Sequence, residues 1–306
     1  MQVRVLGSAA GGGFPQWNCS CPNCGRLRAG TFNGTARTQA QLAWNGALGH
    51  IPQPWTLLNA SPDLRAQIEA TPELWPREGR ESPIHDVILT GAEVDQTLGL
   101  LLLREFHSFR VHSTASVRGI LTGDNSLFGV LARFPGQVCW KDIPLDRPFC
   151  AGGARLEAVP LPGGFPGFVT SSRVEQLNIA DAVIGLFISP ESGGGILAFL
   201  PGVGHVSDEL LERLEACDVV LFDGTFWSDE EPSRIPGITR TARQMGHLPV
   251  SGTGGSIERL APLHRARRIF IHINNTNPIL DEDSAEYRRV RESGWEVAQD
   301  GMEFTL

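Results

Sequence analysis

The chain has 306 residues, of which 41% are hydrophobic and 20% charged, and its net charge is −8. This composition is typical of a globular protein with one large domain or two small ones. The acidic balance and the lack of a basic stripe argue against nucleic acid or an anionic membrane as a partner. No apolar run reaches the ~18 residues of a membrane span. No signal-peptide pattern opens the chain, so we expect a cytoplasmic protein without membrane insertion.

The N-terminus predicts a strand over 3–6, followed by a glycine-rich loop over 7–13. A glycine-rich loop after a first strand invites a dinucleotide-binding interpretation. The next residues, FPQWN, favour turns instead of the helix that such a site requires. We therefore expect the glycines to let the backbone turn tightly beneath a pocket.

Three of the six cysteines lie close together, at Cys19, Cys21 and Cys24. This uneven placement does not resemble a disulfide framework. Three thiolates on a tight loop can occupy three corners of a tetrahedron, a geometry that zinc favours. The fourth ligand could be His, Asn, Asp, Cys or water. We predict a structural zinc site; the alternative is a set of unrelated free thiols.

The segment 84–105, IHDVILTGAEVDQTLGLLLLRE, predicts a buried strand and then a helix from Val94 to about Glu105. Glu93, Asp95 and Gln96 stand where the strand gives way to the helix. Two acids and an amide at a rigid, open strand end could hold a cation. The alternative is that the acids only favour the N-terminus of the helix.

The remaining patterns alternate between strands and helices, and no linker or repeat divides them. We therefore predict one domain, residues 1–306, built of two sheets with helices outside. The Gly- and Pro-rich segment 160–178 predicts a long surface loop. Strands are predicted over 38–44, 55–59, 110–112, 137–140, 155–159, 182–189, 195–200, 218–222, 267–273, 296–298 and 302–305. Helices are predicted over 64–70 (capped by Ser61), 115–122, 127–134, 207–216 (capped by Ser207), 238–245 and 284–292.

Three further polar residues stand at or near the ends of predicted elements. Asp223 ends a strand, His247 follows a possible helix among small residues, and His272 lies in an Ile-rich strand that leads into three asparagines. A histidine in such a strand is usually a hydrogen-bonded core residue. The asparagines after it crowd polar groups at the strand exit, which favours a functional site.

Six segments then point to a family: LGSAAGGGFPQWNCSCPNC, LLNASPDLRAQI, EVDQTLGLLLLRE, LFDGTFW, RTARQMGHLPVSG and IHINNTNPILDEDS. In this order they resemble the PqqB family of pyrroloquinoline quinone (PQQ) biosynthesis. The resemblance implies the α/β fold of the metallo-β-lactamases, an αββα sandwich of two mixed β-sheets with helices on the outer faces. It also implies cytoplasmic work on PQQ or its Glu–Tyr-derived precursor, where other proteins of the pathway are possible partners.

The resemblance also assigns roles to residues. The three clustered cysteines match the family's zinc-binding cysteines. Gly91 and Glu93 occupy the first two His positions of the superfamily's His-x-His-x-Asp-His metal motif, and Asp95 keeps its Asp. Gln96 stands where PqqB-like sequences usually carry a His. His247 falls near the superfamily's late His, and His272 at its last metal-ligand His.

The departures from the superfamily motif exclude a site in which histidines bind a pair of metal ions. Glu93, Asp95, His247 and His272 remain, with Gln96 as a weak neutral ligand. Two carboxylates with one or two imidazoles resemble the ligand set of a non-haem iron(II) site that activates oxygen. Replacing an imidazole by an amide weakens iron binding, which puts the activity of this chain in doubt.

Three hypotheses follow. The first is a metal-dependent hydroxylase acting on the tyrosine ring of a PQQ precursor: Glu93, Asp95 and His272 hold Fe²⁺, and His247 is a further ligand or a proton shuttle. The second is a non-catalytic carrier that helps to transport PQQ or its precursor to the periplasm. The third is a metal-dependent hydrolase, which needs more imidazoles than this sequence supplies. Phe14 and Phe226 are candidate pocket walls, as is Trp17, unless they pack in the core.

Overall fold

The computed structural model describes residues 1–46, 53–235 and 237–306. Within these residues, two mixed β-sheets of seven strands each form a sandwich. The strands of the first sheet are β1 (Gln2–Gly7), β2 (Gln41–Asn45), β3 (Trp55–Leu58), β4 (Ile84–Ile88), β5 (Phe109–Ser113), β6 (Val138–Asp142) and β14 (Glu303–Thr305). Their order in the sheet is β14-β1-β2-β3-β4-β5-β6, in which β3 to β6 run parallel.

The strands of the second sheet are β7 (Phe149–Ala151), β8 (Ala154–Pro160), β9 (Ile184–Pro190), β10 (Leu197–Leu200), β11 (Val219–Asp223), β12 (Arg267–Ile271) and β13 (Trp295–Val297). Their order in the sheet is β13-β12-β11-β10-β9-β8-β7, in which β10 to β13 run parallel. The short strand β7 has no counterpart in the sequence prediction. Loop residues 47–52, within the predicted β2–β3 connection, lie outside the described residues.

The helices are short. They are α1 (Pro22–Arg28), α2 (Leu64–Glu69), α3 (Val94–Thr97), α4 (Ala115–Gly119), α5 (Ser171–Val174), α6 (Asp208–Glu215), α7 (Ser256–Arg259) and α8 (Ala285–Glu292). Tighter 3₁₀ turns cover Pro72–Leu74, Leu98–Arg104, Ser126–Ala132, Ile179–Asp181, Glu231–Arg234, Arg243–Met245 and Pro278–Leu280, and a π turn covers Ile120–Asp124.

Three layers of apolar side chains confirm the predicted αββα architecture. The central layer fills the space between the sheets and includes Leu42, Ile88 and Phe199. A second layer packs helices on the outer face of the second sheet, and a third does the same on the first sheet. The segment 160–178 contributes to the third layer through side chains such as Val169, so it is held against the protein body along part of its length.

Some element predictions were wrong in detail. Ser61 does not cap α2, because the helix begins after Asp63 and the Ser61 hydroxyl donates to Gln67 Oε1 instead. The predicted helix 94–105 changes into a 3₁₀ turn after Thr97. There Gln96 O accepts the Ala60 N–H, and Gly99 N–H donates to Ala60 O, so neither group is free for an α-helical ladder.

Two predicted helices are reduced to 3₁₀ turns. The predicted helix 238–245 is limited to Arg243–Met245, and the one over 127–134 is the turn Ser126–Ala132. In contrast, Ser207 does cap α6, since its hydroxyl accepts the Leu210 N–H at 3.1 Å.

Candidate metal centres

Four polar side chains meet at one edge of the sandwich, at the carboxyl ends of parallel strands. Asp95 lies at the start of α3 after β4, Asp223 ends β11, and His272 directly follows β12. His247 follows the 3₁₀ turn Arg243–Met245. The carboxyl ends of parallel strands are a common position for ligand sites, because the loops there converge on a rigid sheet edge.

We call these four side chains, Asp95, Asp223, His247 and His272, the imidazole site, and their polar atoms lie close together. One ligand atom from each of Asp223, His247 and His272 lies within 4.8 Å of the other two. The two imidazole rings stack with their centroids 5.7 Å apart. Asp95 Oδ2 is 3.4 Å from His272 Nε2. A β-carbon at Gly11 would lie 3.3 Å from Asp95 Oδ2, so the glycine-rich loop passes close over this carboxylate.

A hydrogen-bond network holds the two imidazoles. His247 Nδ1 is 2.7 Å from Asp223 Oδ2, and His272 Nδ1 is 2.8 Å from the Thr225 hydroxyl. Burial lowers the pKa of His247, but the charge of Asp223 and this hydrogen bond, helped by Asp95, outweigh burial and leave the pKa raised. Burial would likewise raise the pKa of Asp223, yet His247 holds it below its ordinary value.

Glu93 and Gln96 lie at the margin of this site. Glu93 is exposed, and desolvation together with the Asp95 charge raises its pKa against the opposing effect of His272. Gln96 Oε1 is buried and has no hydrogen-bond partner among the described residues. It lies 2.5 Å from the position that a β-carbon on Gly91 would take. Glycine at position 91 therefore leaves the space that the Gln96 amide occupies.

The donor atoms of this edge fit a divalent first-row metal ion. With metal–ligand bonds of about 2.1 Å, two ligand atoms at adjacent corners of a coordination sphere lie about 3.0–3.4 Å apart. The 3.4 Å between Asp95 Oδ2 and His272 Nε2 is consistent with that range. Two imidazoles with carboxylates suit iron(II) and its neighbours, for which nitrogen and oxygen donors are preferred.

The second candidate metal centre is formed by Cys19, Cys21 and Cys24, whose Sγ atoms lie within 4.8 Å of one another. Cys24 lies inside α1 and Cys21 just before it, so the predicted tight loop is half helical. Burial raises the pKa of Cys21 to about 11. Burial also acts on Cys19, but hydrogen bonds outweigh it and lower that pKa. A bound cation would be needed to keep all three cysteines as thiolates.

The side-chain amide of Asn275 completes this cysteine cluster. Its Nδ2 lies 3.1, 3.6 and 3.4 Å from the sulfurs of Cys19, Cys21 and Cys24. The amide nitrogen and oxygen exchange places by a half-turn of the side chain. An oxygen in that position has the separation, about 3.6 Å, expected between sulfur and oxygen ligands on one zinc ion. The donor set therefore fits zinc with three sulfurs and one oxygen.

A cleft of about 1110 Å³ borders the cysteine cluster and extends to Phe226 and Trp227. The Phe226 ring on the cleft wall packs edge-on against His247, with centroids 5.8 Å apart, so one side chain separates the cleft from the imidazole site. Of the candidate wall residues, Phe226 lines this cleft. Phe14 is buried in the core, and Trp17 is 87% exposed.

Glu231 lies on the wall of the cleft and was not singled out in the sequence. Its residue surface is only 3% exposed. Its carboxylate accepts hydrogen bonds from the Thr276 hydroxyl and the Trp227 N–H, both at 2.5 Å. Burial raises the pKa of Glu231 to about 7 despite these hydrogen bonds. No sequence pattern marks this residue, because its burial depends on the turn that follows His272.

Comparisons with known proteins extend this description. The model of the Beta-lactamase superfamily domain matches residues 54–273. A protein from Methylobacterium sp. (strain 4-46), called Coenzyme PQQ synthesis protein B, is 43% identical, with 100% of both chains covered. The chain belongs to the PqqB family. Another PqqB relative, from Azoarcus sp. (strain BH72), is 44% identical and is also covered completely.

A solved structure gives the same result for the PqqB fold. Zn²⁺-bound PqqB from Methylobacterium extorquens is 40% identical, covers 100% of both chains and superposes with a TM-score of 0.91. A diphosphatase of the PhnP family, 17% identical with a TM-score of 0.66, shares the fold alone. Across residues 1–46, 53–235 and 237–306, no helix has the length and apolar character to cross a membrane.

The structure brings together most of the predicted site residues of this PqqB-family chain. Asp95, His247 and His272 converge at one edge, and the three cysteines form a cluster of their own. Glu93 stands at the exposed margin. Asp223 was noted in the sequence only as an acid at a strand end. Thr225 was missed, because no pattern distinguishes a threonine that bonds to a distant imidazole.

Proposed function

We propose that this chain acts in PQQ biosynthesis as a metal-dependent oxygenase that hydroxylates the tyrosine ring of a Glu–Tyr-derived PQQ precursor. The observation that carries the proposal is the convergence of Asp95, His247 and His272, two imidazoles and a carboxylate at one sheet edge. This donor set is typical of iron(II) enzymes that activate oxygen. The name Coenzyme PQQ synthesis protein B, carried by full-length relatives, supports the pathway.

The residues at this sheet edge would have different roles. Asp95 and His272 would hold iron(II), with Glu93 as a further carboxylate at the margin and Gln96 as a weak neutral ligand. Bound iron(II) would supply the activation of dioxygen. His247 keeps its Nδ1 directed at Asp223, so its Nε2 is available as a further ligand or to accept a proton from the phenol.

The adjoining cleft would bind the precursor. Its volume of about 1110 Å³ is sufficient for an amino-acid-derived ligand with several rings. Trp227 supplies an apolar wall and Arg234 a cation for a substrate carboxylate. Phe226 would orient the tyrosine ring beside His247 and keep bulk water away from it.

The cysteine cluster would hold a structural zinc ion. We infer that Cys19, Cys21 and Cys24 bind it and that Asn275 Oδ1 is the fourth ligand. A zinc ion bound by four protein ligands has no open position for substrate, so this ion would fix the N-terminal loop against residues 274–277. The solved PqqB from Methylobacterium extorquens is Zn²⁺-bound, which supports zinc as the metal.

A single-turnover experiment tests the oxygenase. The protein is loaded anaerobically with iron(II), mixed with a Glu–Tyr substrate in which the two side chains are cross-linked and with ascorbate as a two-electron reductant, and exposed to oxygen. One oxygen atom of O₂ enters the ring, and the electrons and protons of the reductant convert the other to water. We expect a product heavier by one oxygen atom on the tyrosine ring, and ¹⁸O₂ should label it. Absence of this product at stoichiometric, iron-loaded enzyme would refute the hydroxylase proposal.

A carrier of PQQ or its precursor is the second candidate, and the size of the cleft favours it. A carrier requires the cleft but no redox metal. Elemental analysis of protein purified from iron-replete, anaerobic cultures distinguishes the two: one zinc per chain with no iron, together with tight binding of PQQ, supports the carrier. Iron in addition to zinc supports the oxygenase. The hydrolase is disfavoured, since only two imidazoles converge in the described part of the chain.

A further inference from the structure

The hydroxyl group of Thr225 lies between a carboxylate and an imidazole of the imidazole site. Its Oγ1 is 2.6 Å from Asp223 Oδ1 and 2.8 Å from His272 Nδ1. It is also 2.9 Å from the carbonyl oxygen of His272. A threonine hydroxyl has one proton to donate and two lone pairs to accept with. The position of that single proton therefore decides which nitrogen of His272 is protonated.

The carboxylate of Asp223 determines where that proton lies. Asp223 is fully buried. Its Oδ1 accepts the Thr225 N–H at 3.0 Å, and its Oδ2 accepts the Val203 N–H at 2.9 Å. Backbone N–H groups can only donate, so both oxygens are already acceptors. The Thr225 hydroxyl has two oxygen acceptors within reach, Asp223 Oδ1 at 2.6 Å and the His272 carbonyl oxygen at 2.9 Å. Its one proton goes to Asp223, because the carboxylate is charged and closer.

Once the hydroxyl proton points at Asp223, Thr225 Oγ1 can only accept from His272. His272 Nδ1 must then carry the proton, and His272 Nε2 is left with a free lone pair. That bare nitrogen faces Asp95 Oδ2 at 3.4 Å. Two acceptors facing each other repel unless a cation lies beside them.

The same carboxylate acts on the second imidazole. Asp223 Oδ2 is 2.7 Å from His247 Nδ1, which directs the proton of His247 to Nδ1 as well. All the acceptor positions of Asp223 are thus occupied by Thr225, Val203 and His247. With these four hydrogen bonds, Asp223 acts as a hydrogen-bond partner of the metal-binding imidazoles and not as a metal ligand itself. Carboxylates in that role commonly fix imidazole tautomers.

We propose that Thr225 is a positioning residue that, together with Asp223, fixes His272 and His247 as Nδ1–H tautomers and so keeps both Nε2 atoms free for one metal ion. The tautomer assignment stands on the hydrogen bonds alone. Its use for metal binding rests on the proposed function of the imidazole site.

The tautomers can be read directly by NMR. Protein labelled with ¹⁵N-histidine is stripped of metal with a chelator, and long-range ¹H–¹⁵N couplings are recorded at alkaline pH, where both rings are neutral. We expect both His272 and His247 as Nδ1–H tautomers in the unmutated protein. This measurement needs no variant, so it does not depend on whether a variant folds. An Nε2–H tautomer of His272 would overturn the proposal.

A pair of variants isolates the hydroxyl. Thr225→Val keeps the shape but removes the hydroxyl, whereas Thr225→Ser keeps the hydroxyl. We expect Thr225→Val to shift His272 to the Nε2–H tautomer, which free imidazole prefers, and to leave His247 unchanged because Asp223 Oδ2 still holds it. Thr225→Ser should keep both tautomers. An unchanged His272 in Thr225→Val would also overturn the proposal.

Cobalt(II) titration tests the consequence for metal binding. Thr225→Val should weaken cobalt binding at the imidazole site by roughly 10- to 100-fold, because it removes a residue that hydrogen-bonds to a metal ligand. Thr225→Ser should bind cobalt nearly as tightly as the unmutated protein. The sulfur-to-cobalt absorption band of the cysteine cluster serves as an internal control and should not change. Equal cobalt affinity in all three proteins would refute the positioning role. Failure of the hydroxylation experiment would leave both measurements standing, so the two proposals fail separately.

Discussion

Asp95 Oδ2 lies 3.4 Å from His272 Nε2, although 177 residues separate the two along the chain. Asp95 follows a strand of the first sheet, and His272 follows a strand of the second. The backbone joins the two sheets at this same edge, where Ala10 N–H donates to Ile273 O and Ile184 N–H donates to Thr90 O. The packing of the sandwich therefore determines the distance between the two side chains.

Replacing Asp95 tests the imidazole site. Asp95→Asn should lower cobalt(II) or iron(II) affinity by more than roughly 100-fold, because it removes a direct, charged ligand. Loss of a residue that only hydrogen-bonds to a ligand has a smaller effect. Hydroxylation should be lost, and the zinc content should stay the same. Metal titration followed by elemental analysis measures this. Asp146→Asn, on an exposed side chain, is the control and should bind metal normally. Equal affinities would show that Asp95 is not a ligand.

The cysteine cluster should contribute to stability. Cys24 is fully buried, whereas Cys139 is exposed. Cys24→Ser should reduce bound zinc well below one per chain and lower the Tm by roughly 5 °C or more, since a structural metal stabilises the folded state. Cys139→Ser should change neither quantity. Zinc content and thermal unfolding are the measurements, and full zinc retention by Cys24→Ser would contradict the assignment.

Glu231 should make stability depend on pH. Its pKa is about 7 in the folded protein against 4.5 for the ordinary carboxyl. Between these values the folded protein holds a proton on Glu231 that the unfolded chain has lost. The contribution of this proton to the free energy of unfolding is therefore fully present below about pH 4.5 and is lost as the pH rises through about 7. The loss is on the order of 3 kcal/mol at most.

Glu231→Gln cannot ionise and should lack this fall. Urea unfolding at about pH 5 and about pH 8 measures the free energy of unfolding of both proteins. Relative to the wild type, Glu231→Gln should become more stable at the higher pH. The neighbouring Glu230 is exposed, so Glu230→Gln should keep the pH dependence of the wild type. Parallel pH profiles for wild type and Glu231→Gln would contradict the prediction.

Gln96 offers a test by gain of function. Its amide oxygen is buried and unpaired among the described residues and lies beside Gly91. Gln96→His should raise iron(II) or cobalt(II) affinity by roughly 10-fold or more, because imidazole is a better donor than a neutral amide. Gln176→His adds the same ring at an exposed position and serves as the control. Metal titration of the two variants decides, and an unchanged affinity in Gln96→His would place position 96 outside the ligand set.

Much of the fold could be read from local patterns. The strand predicted over 218–222 is observed as Val219–Asp223. The cap of α6 followed from Ser207 and the amphipathic residues behind it. The predictions failed where distant backbone changed local geometry, as at Gln96 and Gly99, whose hydrogen bonds go to Ala60 instead of the helix.

The sequence by itself determined which side chains were available: three clustered cysteines, two acids at the end of one strand, and histidines at 247 and 272. These are local properties, because spacing and element ends are written in neighbouring residues. Only the tertiary structure decided that Asp223 and Thr225 support the imidazoles, that Asn275 reaches the cysteines, and that Glu231 is buried. Those relationships depend on loops from two sheets meeting at one edge, and no local pattern encodes such a distance.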